Sequence, residues 1–285
     1  MTNVALVTCL ELPEPDPDEE LLLEALRQAG IRAELLAWDD SHADPGAFDL
    51  CVLRSCWNYY EDPKAFLAWI AAAASCSRLA NPANVVRWNL HKRYLQRLEA
   101  ADVSIIPTAW FEQGQIVDLI ATMRARGWDD VVVKPAVSAR SFCTQRFRVD
   151  QVGEGQAFLA ALVRERDAMV QRYMPAVEGA GEQALVWISR EFTHAGRKSP
   201  RFAGGVERVS DALAVSDQEK AIANRALSCV DGELLYARVD VMNDDDGNLL
   251  VSEIELMEPS LFLLQCPAAL ERFVRAIGRM YSFDK

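Results

Sequence analysis

Short apolar runs alternate along this chain with stretches whose apolar positions recur at helical spacing. Val4–Cys9, Ile31–Trp38 and Leu50–Arg54 are predicted strands. Between the first two, Asp16-Pro17-Asp18 opens a predicted helix to Ala29, with acidic residues in its first turn and Gly30 just past its end. Asp62-Pro63 opens another helix through Ala74. Strand–helix alternation predicts an α/β layer with a parallel sheet, ending near Asn81-Pro82. A helix is predicted from Asn84 to Ala101, carrying Trp88, Leu95, Leu98, Lys92 and Arg93. Ser104–Trp110 is extended, because Pro107 excludes helix. Ile116–Arg126 is predicted as a helix and Val131–Lys134 as a strand. A glycine-rich turn at Val152–Gln156 precedes a helix to Arg166. Ala168–Tyr173, Ala184–Ser189 and Phe202–Val209 read as strands, Asp217–Val230 and Pro267–Met280 as helices. The expected fold class is α/β.

One stretch adds chemistry to the pattern. Leu234–Met242 and Leu249–Leu256 flank the turn Asn243–Asn248 and predict a β-hairpin. Arg238 and Asp240 are two apart on the first strand, Glu253 and Glu255 two apart on the second. If both pairs share a face, a cation and three carboxylates meet there. Burying three like charges is costly unless something positive binds them, and a hard divalent ion such as Mg²⁺ suits that role. The residues alone leave a second reading open, the solvated face of an amphipathic hairpin.

Composition narrows the function classes. In 285 residues, 51% hydrophobic and 25% charged, a sizeable core is available. The net charge of −12 argues against nucleic acid or a membrane surface as the main partner. It leaves room for an anion in a local basic pocket. The seven cysteines are scattered without metal-ligand spacing and read as reduced packing residues. The start lacks a basic region before its apolar run, and a cytoplasmic location is expected.

Further segments carry candidate sites. Lys134 leaves a strand into the small-residue loop Pro135–Ser141, a setting that suits a polyphosphate, although no P-loop motif occurs. Val170–Pro175 can offer backbone groups to an adenine edge, and Glu178 can take ribose hydroxyls. Arg54-Ser55-Cys56-Trp57-Asn58-Tyr59 leaves a first-unit strand, where ligands gather in open α/β sheets. A cation with Ser, Asn and two aromatics suits a small zwitterion, and a packed corner is the alternative. Thr193–Pro200, with His194, Arg197 and Lys198, is expected to be a mobile lid loop. Ser260 follows the hairpin as a candidate donor, and Arg140 can reach a phosphate, a carboxylate or solvent.

The order of Lys92, Lys134, the Gln171-x-Tyr173 strand exit, Glu178 and the R-x-D…E-x-E hairpin resembles the ATP-grasp superfamily. The similarity is to the branch of D-alanine–D-alanine ligase and glutathione synthetase, over about residues 80–265. It implies three α/β subdomains with ATP between the last two: a Rossmann-like 1–84, a central 85–175 and a C-terminal 176–285. Lys92 and Lys134 would then contact the α- and β-phosphates, with Ser138 in the covering loop. Gln171, Tyr173 and Met174 would form the adenine hinge, and Glu178 would bind ribose. Asp240 and Glu253 would ligate Mg²⁺, completed by Glu255 where many relatives carry asparagine. Arg238 would stabilise the transferred phosphoryl group and the acyl phosphate. The loop Ala136–Thr144 departs from the family pattern, having no glycine between Gly127 and Gly153.

The Arg54–Tyr59, Thr193–Pro200 and Glu253–Leu263 segments are together similar to the O-ureidoserine cyclo-ligase subgroup. That implies phosphorylation of a small amino-acid-like substrate and attack by its own nitrogen, converting O-ureido-D-serine to D-cycloserine. Arg54, Trp57, Tyr59, Arg140, His194, Lys198 and Ser260 would face the substrate. An intermolecular amino-acid or peptide ligase, a ligase modifying a protein terminus and a non-catalytic ATP-binding module are the alternatives. A homo-oligomer is left open.

Overall fold

The computed structural model describes residues 3–179, 181–198 and 209–282. Strands β1 (Asn3–Thr8), β2 (Arg32–Ala37), β3 (Leu50–Leu53) and β4 (Arg78–Ala80) form a parallel sheet in the order β2-β1-β3-β4. Helices α1 (Glu19–Gln28) and α2 (Pro63–Cys76) make the crossovers, and Asp62 caps α2 by accepting the Ala65 N–H. β3 is fully buried, as a near-continuous apolar run in a covered parallel sheet must be.

The helical pattern after Asn84 breaks in two, α3 (Ala83–Leu90) and α4 (Tyr94–Ala100). Lys92 therefore lies in the interruption and not on a helix, which corrects the expectation. Its N–H donates to the Ala136 carbonyl at 2.8 Å instead of to a helical acceptor. Val85, Tyr94, Leu95 and Leu98 pack with Leu185, Val239, Val251 and Ile254 of the third sheet.

The second sheet is antiparallel, in the order β5-β8-β6-β7: β5 (Thr108–Phe111), β6 (Asp130–Pro135), β7 (Gln145–Arg148) and β8 (Ala168–Arg172). Helices α5 (Leu119–Arg126) and α6 (Val152–Glu165) pack on it. The predicted turn at Val152–Gln156 is the first stretch of α6. Gly155 is there for closeness: a Cβ would lie 2.7 Å from Leu119 Cδ2 and 2.9 Å from Phe147 Cγ.

The third sheet is also antiparallel, in the order β10-β9-β11-β12: β9 (Glu182–Ile188), β10 (Glu191–Lys198), β11 (Tyr236–Asn243) and β12 (Leu249–Glu255). Thr193–Lys198 is thus strand and not lid loop. Ser199, Pro200 and residues 202–208 of the predicted Phe202–Val209 strand lie outside the described residues. Helix α7 (Asp217–Ser228) starts with a reciprocal Ser216–Glu219 capping box. Helix α8 (Pro267–Ser282) brings Phe273 and Ile277 to Leu22 and Leu26 of α1 and to Ile188 and Tyr236, tying the first sheet to the third. Among the described residues no helix is long and apolar enough to cross a membrane.

Candidate active site

The hairpin register decides the site. Arg238 stands opposite Glu255, and Asp240 opposite Glu253, so all four share one face. Arg238 is 5% and Asp240 1% exposed, which excludes the solvated-face reading. The register shifts after Asp240, leaving Ser252 as an extra residue. Its hydroxyl donates to the Asp240 carbonyl at 3.1 Å and to Glu182, so the bulge fixes the aim of Asp240.

The buried carboxylates are matched by cations. Asp240 accepts from Arg238 at 2.8 and 2.9 Å and from Lys198 at 2.5 Å. Lys92 Nζ meets Glu253 at 2.7 Å, Lys198 meets Glu182 at 2.7 Å, and Arg238 donates to Glu255. Burial works to raise the Asp240 and Glu253 carboxyls, yet Arg238 with Lys198, and Lys92 with Lys134, hold them below the usual carboxylate range. Burial also disfavours the Lys92 ammonium, and Glu253 more than offsets it, so Lys92 is raised. Lys134 has no such close partner among the described residues, and burial lowers it.

These groups open on a chamber of about 250 Å³. Lys92, Lys134, Lys198, Arg238, Glu253 and Glu255 line it, as do Trp57, Ser138, Arg140, Glu258 and Ser260. A second cavity of about 130 Å³ includes Ile106, Gln171, Tyr173, Met174 and Met242. Lys134, Val177, Glu182 and Glu253 line both, so the cavities adjoin. Ile106, Met174, Met242 and Leu250 form a separate apolar cluster at this second cavity. An apolar slot thus leads to a chamber lined by five basic and five acidic side chains, the profile expected for a base followed by metal-bound phosphates.

The glycine-free loop after β6 is held by tertiary contacts. Lys92 Nζ and the Tyr59 hydroxyl both donate to the Ser138 carbonyl, at 2.8 and 3.0 Å. Arg140, Ser141 and Cys143 adopt φ of 52°, 58° and 47°, a region L-residues usually leave to glycine. Phe142 anchors the strained segment, its ring 4.4 Å from that of Tyr60.

Of the substrate residues expected from the sequence, Trp57, Arg140, Lys198 and Ser260 line the chamber. Arg54, Tyr59 and His194 are not among its lining, because the tail after β12 covers the end of β3. Arg54 Nη1 donates to the Pro259 carbonyl at 3.0 Å and faces Asp18 at 3.9 Å. Tyr59 is buried between the Ser138 carbonyl, to which it donates, and the Glu258 side chain. His194 is 2% exposed, hydrogen-bonded through Nδ1 to Thr193, and burial lowers its pKa. Arg140 pairs with Glu14 at 3.2 Å. Glu178 accepts from Arg146 at 2.6 Å and Tyr173 at 2.5 Å on the exposed side and lines neither cavity. Sequence reasoning missed Glu182, and it placed Glu258 only within the stretch Glu258–Leu261 expected to face the substrate, without a role of its own. The available signals were an acidic residue opening the strand after the hinge, and a third acid three residues beyond Glu255.

Among the described residues no group of three His, Cys, Asp or Glu forms a ready metal cage. The donor set still fits Mg²⁺. Asp240, Glu253 and Glu255 are hard oxygen ligands on facing strands, and this ion takes few protein carboxylates and fills its shell with water and phosphate. The lysine and arginine partners would then turn to the phosphates.

Comparison with known proteins agrees with this geometry. Residues 4–81 match the family profile of the D-cycloserine synthetase DcsG N-terminal domain. The chain is 32% identical to cycloserine biosynthesis protein DcsG of Streptomyces lavendulae, covering 98% of each sequence. It superposes on the crystal structure of D-cycloserine synthetase DcsG with a TM-score of 0.89, at 31% identity over 98% of this chain and 99% of that one. A RimK-domain ATP-grasp protein from Sphaerobacter thermophilus shares the fold, with a TM-score of 0.69 and 19% identity over 98% of both chains.

Proposed function

The chain belongs to the DcsG family of ATP-grasp ligases, and from that membership we propose that it converts O-ureido-D-serine to D-cycloserine at the expense of ATP. It is an ATP-dependent ligase. The observation that carries the substrate reading is the 32% identity to DcsG over 98% of the chain, and the junction of an apolar slot with a charged chamber at Lys134, Glu182 and Glu253 supports the nucleotide.

Gln171, Tyr173 and Met174 flank adenine, and Glu182, which lines both cavities, is better placed for ribose than Glu178. Lys92, Lys134 and Lys198 neutralise the phosphates, with Ser138 beneath them. Asp240, Glu253 and Glu255 would hold Mg²⁺, which when bound supplies charge neutralisation on the transferred phosphoryl group. Arg238 faces the acyl phosphate. Trp57, Arg140 and Ser260 bound the substrate end. Chain boundaries near 84 and 175 separate the three subdomains. Holding the acyl phosphate beside the nitrogen in one chamber supplies much of the acceleration.

The test is ADP release from Mg²⁺-ATP with O-ureido-D-serine alone, then with pairs of amino acids. Turnover with the single compound supports ring closure. Turnover only with pairs makes the chain a condensing ligase, and ATP binding without turnover in any mixture removes the ligase reading.

A further inference from the structure

Five glutamates line the chamber, Glu14, Glu182, Glu253, Glu255 and Glu258. Four of them meet a lysine or arginine. Glu258 is 8% exposed, and among the described residues no lysine or arginine forms an ion pair with it. A buried carboxylate without a counter-ion is costly to retain. The backbone around it is held firmly. Trp57 Nε1 donates to the Glu258 carbonyl at 3.0 Å, and Arg54 Nη1 donates to the next carbonyl, of Pro259, at 3.0 Å. The first unit thus clamps the peptide that carries the one chamber glutamate without a paired lysine or arginine among the described residues, a preorganised group that meets only the Tyr59 hydroxyl.

We propose that Glu258 is the general base of the second half-reaction, taking the proton from the substrate nitrogen as that nitrogen attacks the acyl phosphate. This rests on the ligase reading above and assigns it a residue. In the step, the N–C bond forms and the C–O bond to phosphorus breaks. Inorganic phosphate leaves with the electron pair, and the N–H proton passes to the Glu258 carboxylate and then to solvent. The ring nitrogen then still carries the carbamoyl group of the ureido substrate, which water removes as carbon dioxide and ammonia; no oxidant or reductant is needed. A neutral amide-type nitrogen must lose this proton to stay bonded to carbon, and a positioned base contributes about 10²–10⁴-fold to such a step.

The surroundings are consistent with a base that works near neutrality. Burial pushes Glu258 up to about 7, opposed by Lys92, Arg238 and Tyr59 and reinforced by Glu253. Glu255, Tyr236 and Cys56 are the other titratable groups that face it. Ring closure needs the ionised form and rises as pH passes through that value.

The experiment compares wild type with Glu258→Gln, using Mg²⁺-ATP and O-ureido-D-serine from pH 6 to 9, and measures both ADP and ring-closed product. The expected result is a loss of about 100-fold in product with a smaller loss in ADP, so that ADP per ring rises from one to about ten or more. The rise of wild-type ring closure through about pH 7 should vanish in the variant. Glu258→Asp, which keeps an acid, should recover part of the coupling and stands in if the glutamine variant does not fold. One ADP per ring at the wild-type rate in Glu258→Gln overturns the proposal. So does a loss confined to KM, which would make Glu258 an anchor for the substrate ammonium. Absence of ADP release by wild type with this compound defeats the ring-closure reading on which the assignment rests, and the base assignment falls with it.

Discussion

Two clusters of buried charge flank the tail after β12, and the sequence marked residues of both as functional. One is the hairpin face of Arg238, Asp240, Glu253 and Glu255. The other is the seam of Arg54, Asp18 and His194 between the first unit and the third sheet. Both are buried and both pair an arginine with an aspartate. They differ in what lies beside them. Three of the four hairpin residues line the 250 Å³ chamber, together with three lysines. None of the seam residues does. Asp18 accepts the Leu264 N–H at 3.1 Å, Arg54 holds Pro259, and the guanidinium stands 6.0 Å from the Tyr236 ring centroid. Burial of charge therefore does not identify a site by itself. Adjacent solvent-sized space, lined by cations and carboxylates together, separates chemistry from masonry.

The contrast is broken most directly at the hairpin. Asp240→Asn and Glu253→Gln should each lower ADP release by about 100-fold or more while circular dichroism stays native, because the groups bind charge that develops in catalysis. Full activity in either variant removes the metal assignment.

At the seam the reverse is expected. Arg54→Met leaves Asp18 buried without its partner and should cost about 3–5 kcal/mol of unfolding free energy in urea titrations. The folded fraction should keep its KM for ATP within about threefold, on the scale of a minor contact change. A stable variant with a greatly raised substrate KM would return Arg54 to the substrate list.

A finer cut separates two glutamates near the hinge. Glu182→Gln should raise KM for ATP by about tenfold, the scale of one charge-assisted hydrogen bond, and Glu178→Gln by less than about twofold. Equal effects would show that the lining of the cavities does not discriminate between them.

The smallest effect concerns His194. Burial holds its pKa below 6.5, so the unfolded chain binds the proton more readily than the folded one. Its contribution to stability is present above pH 6.5 and is lost as pH falls through the window below that value. His194→Gln should flatten part of this acid loss in melting temperature between pH 7 and 5. An unchanged slope would place the proton in the folded state.

Much of the site was legible because strand geometry is local. The two-residue spacing in Arg238-x-Asp240 and Glu253-x-Glu255 requires each pair to share a face, whatever the rest of the chain does. The ligase resemblance followed from the order of such marks, and membership of the family bears it out. Lys92 was legible as a residue but not in its setting, because the break at His91–Arg93 depends on an acceptor at Ala136, 44 residues away in sequence. The turn expected at Val152–Gln156 failed for a similar reason. Gly155 answers to Leu119 and Phe147 on other elements, and a glycine that serves close packing looks, in sequence, like one that serves a turn.

The amino-acid order alone determined the periodicities, hence the parallel first layer, the charged hairpin and the residue types available for phosphate and metal chemistry. Those properties depend on neighbours within a few positions. Tertiary structure alone decided which charged groups face a cavity. It covered the end of β3 with the tail after β12, turning Arg54 and Trp57 into clamps, and it placed Glu182 at the junction of two chambers. It also left Glu258 as the one chamber glutamate without a cation, among the described residues. Burial, pairing and open space are sums over groups distant in sequence, and no local pattern contains them.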